Sequence, residues 1–225
     1  MEKTEKRRQD GAHATATQPH WQDLARRFPK EKECLATFLA FEGAEILAGS
    51  KPANLANLTN RPHPCGQNLY RLWQRHGDAL LACSGLAARI LVDRGSSLLL
   101  MLYDPTLLAK RLSLPASKAM LRRAGYDVTG GTATLLDQLE QRCHNQAGFP
   151  HEIGIFIGYP LKDVAAFLGW VKLPFTAQGP WKIYGRAEKS LALAEEHRRC
   201  RHHMLCRLQR GCSPRECLTP VALTV

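Results

Sequence analysis

The sequence predicts an α/β fold, a single domain in which a small mixed sheet of roughly three to five strands is covered by about six helices. Three observations lead there. Apolar residues recur at helical spacing over residues 32–47, 67–83 and 186–209. Two β-like runs, residues 87–92 and 97–103, flank Asp93-Arg94-Gly95, where glycine supplies the positive φ of a tight turn. A third apolar run, residues 153–157, is entered through His151-Glu152 and left through Gly158-Tyr159-Pro160. Alternation over that run, with Ile153, Ile155 and Ile157 on one side, predicts a buried strand feeding a helix.

The 225 residues can bury a substantial core. The domain is expected over residues 21–210, between a disordered basic tail (1–20) and a C-terminal tail (211–225). The longest unbroken apolar run, residues 98–103, is far short of the ~20 residues a spanning helix needs. Residues 1–20 carry no apolar signal region, so a cytoplasmic chain with no membrane partner is expected. Of the net charge of +11, residues 182–225 hold +5. That excess permits attraction to nucleic acid, although solvated Lys and Arg are the simpler account of it. The eight cysteines include no C-x-x-C pair, and reduced thiols are expected.

Taken in order, residues 32–47 form a helix with Gly49 at its C-cap. Ser50 caps a short helix over residues 50–58, with Pro52 in its first turn. The helix over 67–83 carries Leu69, Leu72 and Trp73 inward and has a potential break at Gly77. The second hairpin run, residues 98–103, is apolar on both faces and should be a central strand. Asp104-Pro105 starts a helix, as a capping carboxylate followed by proline. Pro115 starts another, ended by Gly125, and Thr132 caps a third over 133–145. Pro160 opens a helix to Leu168 with Asp163 in its first turn. Residues 181–184 form a short strand, the helix over 186–209 follows, and residues 221–225 form a closing strand.

Four ordered segments resemble a family. Residues 149–164, Phe-Pro-His-Glu-Ile-Gly-Ile-Phe-Ile-Gly-Tyr-Pro-Leu-Lys-Asp-Val, look like the signature of a bacterial family known as domain of unknown function 3793. Gly49-Ser50-Lys51-Pro52-Ala53-Asn54-Leu55 resembles that family's Gly-x-Lys-x-Ala-Asn-Leu, residues 99–105 its apolar strand ending in Tyr-x-Pro, and Trp181-Lys182-Ile183-Tyr184-Gly185 its Trp-Lys-Val-Tyr-Gly. The resemblance spans roughly residues 35–205 and implies no activity.

The leading functional expectation is a small anionic ligand held at the strand-to-helix junction, with catalysis left open. Free N–H groups at a helix start suit an anion, which places Gly158 and Tyr159 in the candidate site. Glu152 and His151 stand at the run's entrance, on opposite faces of a strand; each can act singly as acid, base or ligand, or serve only to cap and pair. Lys51 and Asn54 are the remote candidates to complete the site. No G-x-G-x-x-G or G-x-x-x-x-G-K-[ST] occurs, and the sequence names no cofactor. His197, Cys200, His203 and Cys206 are weak metal candidates, because their spacing is irregular and arginines surround them. His197 and Cys200 also share a stripe with Leu193, Met204 and Leu208, which predicts a core-facing role. The alternative function is a basic interaction module, binding nucleic acid or a partner protein through the Arg-rich C-terminal helix, together with Lys6-Arg7-Arg8. That helix has no aromatic residues among its arginines for stacking bases.

Overall fold

Residues 98–103, the most apolar run of the chain, form most of the middle strand of a three-stranded antiparallel sheet. The computed structural model describes residues 21, 24, 26–63, 65–144 and 148–219. The expectations for residues 1–20, for residues 221–225 and for the helix end at Asn145 lie outside the described residues. The strands are β1 (Ala53–Thr59), β2 (Ala87–Asp93) and β3 (Ser97–Tyr103), in the order β1-β3-β2. Alternation along β3 sends Leu98, Leu100 and Leu102 into one apolar cluster and Met101 into another, with Leu99 and Tyr103 packed against the latter. The sheet therefore separates two cores, which is why its middle strand lacks a polar face.

The β2–β3 hairpin is as predicted. Gly95 has φ +71°, and its N–H donates to Asp93 Oδ1 at 2.8 Å. β1 is a correction. The Asn-rich segment expected as a capped helix pairs with β3 in unbroken register, from Ala53 opposite Tyr103 to Thr59 opposite Ser97. Pairing with a strongly apolar neighbour overrides the weak strand preference of Asn and Ala.

On one face lie α1 (Glu31–Glu42), α2 (Ala44–Leu47) and α3 (Leu69–Leu81), joined by the long α9 (Glu188–Gln209) and the short α10 (Pro214–Cys217). The single helix expected over 32–47 is divided at Gly43, where a Cβ would lie 2.7 Å from Leu86 Cδ1. No break occurs at Gly77, which lies within α3, where a Cβ would meet the Trp73 ring at 2.9 Å. The second core gathers α4 (Pro105–Ser113), α5 (Pro115–Arg123), α6 (Gly131–His144), α7 (Ile153–Phe156) and α8 (Leu161–Phe167). Asp104 caps α4 as expected, accepting from the Leu107 N–H at 2.8 Å. A separate antiparallel ribbon pairs β4 (Phe175–Gln178) with β5 (Lys182–Tyr184), so the Trp181 strand lies outside the main sheet.

The largest correction concerns residues 153–157. Instead of a strand they form α7, a single buried helical turn, with Ile157 N–H donating to the Ile153 carbonyl at 3.0 Å. A short apolar run fits a buried turn as well as a strand. Glycines fix its packing: a Cβ on Gly154 would meet Val164 Cγ2 at 2.9 Å, and one on Gly158 would meet Pro52 Cδ at 2.5 Å. Gly158 also has φ +85°, which glycine adopts without strain. Among the described residues no helix is long and apolar enough to cross a membrane.

Candidate functional site

Where β1 begins, the chain has just left α2 through Gly49, whose φ of +74° turns it sharply. The turn carries Lys51 inward, and it is only 5% exposed. A buried ammonium requires partners. Lys51 Nζ donates to Asn54 Oδ1 at 2.7 Å, and Asn54 Nδ2 donates to the Glu42 carbonyl at 2.8 Å. Strand alternation puts Asn54 on the α1–α9 side of the sheet, with Ala56 and Leu58. From α9, Arg201 Nε donates to Glu45 Oε1 at 2.7 Å, and its guanidinium lies 3.7 Å from Glu42 Oε2. Two carboxylates and two cations, drawn from α1, α2, α9 and the approach to β1, thus form one network, buried at Glu45 and Lys51 and half-buried at Glu42 and Arg201.

A cavity of about 240 Å³ opens beside it, lined by Glu45, Lys51, Asn54, Tyr159, His197 and Arg201 among others. Lys51 Nζ stands 5.5 Å from the Tyr159 ring centre, in cation–π range. Burial pushes the Lys51 ammonium down to about 8, against the pull of Glu45. His197 is also held below its ordinary value, by burial and then by Lys51. Burial alone would lower the Arg201 value, but Glu45 and Glu42 outweigh it and raise it. Burial raises the Tyr159 phenol. Two buried atoms at this cavity have no partner among the described residues: Glu45 Oε2 and His197 Nε2.

Tyr159 and Pro180 also line a second cavity, of about 270 Å³ and mostly apolar, with Phe149, His151, Phe167 and Trp181. The Tyr159 and Trp181 rings lie 4.6 Å apart, and Trp181 meets His197 at 6.0 Å. Behind them sits Asp163, 2% exposed, which accepts four hydrogen bonds. Trp181 Nε1 (2.9 Å) and Ser190 Oγ (2.6 Å) donate to Oδ2, while Lys162 Nζ (2.7 Å) and Tyr184 N–H (3.0 Å) donate to Oδ1. Burial would raise this carboxyl, but the four donors hold it below the usual carboxylate range.

The predicted residues therefore divide. Lys51, Asn54 and Tyr159 meet at the polar cavity. Gly158 backs onto Pro52, and its N–H is bonded to the Ile155 carbonyl, as the Tyr159 N–H is to Gly154. The junction is helix-to-helix, and its backbone donors at Gly158 and Tyr159 are taken. His151 is exposed on the rim of the apolar cavity, between the rings of Phe149 and Phe167. Glu152 faces the second core instead, accepting from Tyr126 Oη at 3.1 Å and pairing with Arg142 at 3.3 Å. Of the metal candidates, His197 is buried at the polar cavity and Cys200 Sγ lies 3.6 Å from Ser50 Oγ. His203 is exposed, and Cys206 lies 3.8 Å from His202. No group of three such side chains is placed to hold a metal ion among the described residues. Sequence reasoning missed Glu42, Glu45 and Arg201. The one available signal was helical spacing, with Glu45 three residues after Glu42 and Arg201 four after His197.

No curated protein and no solved structure matches the chain significantly. The family described as Protein of unknown function (DUF3793) matches residues 39–218, which include Lys51, Asn54, Tyr159, Asp163, His197 and Arg201. The chain belongs to that family.

Proposed function

We propose that the chain binds a small acidic molecule in the Lys51–Arg201 cavity, not at the backbone of the Gly158 junction. One observation carries this reading: a buried lysine, Lys51, and a half-buried arginine, Arg201, are fixed at the edge of a cavity large enough for a small molecule. For scale, an apolar cavity of ~150 Å³ holds benzene. Lys51 has three donors and spends one on Asn54, and the Asn54–Glu42 bonds hold the ammonium in place before any ligand arrives. Pre-organised cations of this kind bind an anion without a further ordering cost.

The test is a thermal-shift titration of the full chain with acetate, malonate and inorganic phosphate. At ~100 times the dissociation constant, binding adds about 2.7 kcal/mol to stability. At least one of these anions should raise the melting temperature of the wild type and not that of Lys51→Met. Equal shifts in both proteins, or no shift in either, would remove the reading.

The basic-module alternative has one observation in its favour. Arg198, Arg199, His202, His203, Cys206 and Arg210 line an open groove along the outer side of α9. It carries less, since Arg198 is already paired with Glu195 at 2.6 Å and α9 offers no aromatic platform for bases.

A further inference from the structure

Glu45 and His197 both line the Lys51–Arg201 cavity, at 2% and 4% exposure, and among the described residues Glu45 Oε2 and His197 Nε2 have no hydrogen-bond partner. A buried polar atom left without a partner destabilises the fold, so a pair in one small space calls for an occupant. A carboxylate oxygen can only accept a hydrogen bond. His197 Nε2 is likewise a buried atom with no hydrogen-bond partner among the described residues. This wall therefore asks for a donor. The opposite requirement comes from Lys51, whose remaining donors ask for an acceptor.

A simple carboxylate satisfies Lys51 but brings a like charge to Glu45 and gives Oε2 no proton. A simple amine answers Glu45 but adds a third cation beside Lys51 and Arg201. A molecule carrying both groups answers both requirements at once.

We infer that the ligand is a zwitterionic α-amino acid, its ammonium donating to Glu45 Oε2 and its carboxylate lying against Lys51. This rests on the acidic-ligand reading above and adds the second group. The volume of about 240 Å³ suits a molecule of that size. Tyr159 and Pro180, shared with the apolar cavity, are the residues a side chain would meet.

The test is calorimetric titration of the full chain with the standard L-amino acids. The strongest binder is then compared with its deaminated acid and its decarboxylated amine, on the wild type and on Glu45→Gln. One amino acid should bind, both truncated analogues should bind about tenfold more weakly or worse, and Glu45→Gln should erase most of the gap between amino acid and deaminated acid. A deaminated acid that binds the wild type as tightly as the amino acid overturns the inference and leaves the acidic-ligand reading standing. If no amino acid, simple carboxylate or inorganic phosphate binds, both fall. The analogue series on the wild type decides the matter even if Glu45→Gln does not fold.

Discussion

Lys51 shows what burial does to one charge. Its ammonium is almost wholly enclosed, and its value falls to about 8 from the ordinary 10.5. The sign of the consequence follows from proton counting. Between those values the unfolded chain keeps the proton and the folded chain gives it up, so stability rises with pH across that window. Relative to Lys51→Met, the wild type should gain about 3 kcal/mol between pH 8 and pH 10.5, read from urea unfolding at a series of pH values. A pH-independent difference between the two proteins would mean that Lys51 is solvated. At pH 7 the group remains mostly protonated, as binding an acid requires. Lys51 and Asn54 could be named from the sequence because a lysine beside Pro52 and Asn54 in a connector is conspicuous. Their partners could not. Glu42 and Glu45 look like ordinary helix-surface carboxylates, and only the return of α9 across α1 and α2 brings Arg201 to them.

Among the elements, Asp163 ties three together. It was expected only as a helix-start anion; in the fold its carboxylate joins α8 to β5, to Trp181 and to Ser190 at the start of α9. Asp163→Asn keeps the shape but turns one acceptor into a donor facing donors. It should cost roughly 3 kcal/mol, in the range for breaking a buried ion pair, and should disturb the Tyr159–Trp181 pair beside the cavity. Because the folded carboxyl is lowered, its contribution is complete above the ordinary aspartate range near ~3.9 and is lost as pH falls through the depressed folded value. Acid titration of stability should therefore show a step in the wild type that Asp163→Asn lacks; matching curves would contradict the role. The helices with capping signals, such as the one begun by Asp104-Pro105, were readable because their starts are fixed locally. β1 and α7 were not. β1 is a strand only because β3 lies beside it, and α7 is a helical turn closed by the bond from Ile157 N–H to the Ile153 carbonyl. Such facts belong to tertiary pairing and leave no periodic trace in a short segment.

For the whole molecule, a sheet between two cores fixes where a polar cavity can form. The apolar clusters occupy both faces of β3, which leaves the end of β1, where α2, α9 and the α7–α8 connection converge, as the place where charged groups gather. The overall charge of +11 is a poor guide to this site, whose Glu42, Glu45, Lys51 and Arg201 balance one another. The cavity's occupant is the central claim, and a high-resolution crystal structure of freshly purified full chain tests it most directly. The account predicts density for an organic molecule joining Lys51 Nζ to Glu45 Oε2 and His197 Nε2. Discrete waters satisfying those three atoms, unchanged after amino acids are soaked in, would contradict it.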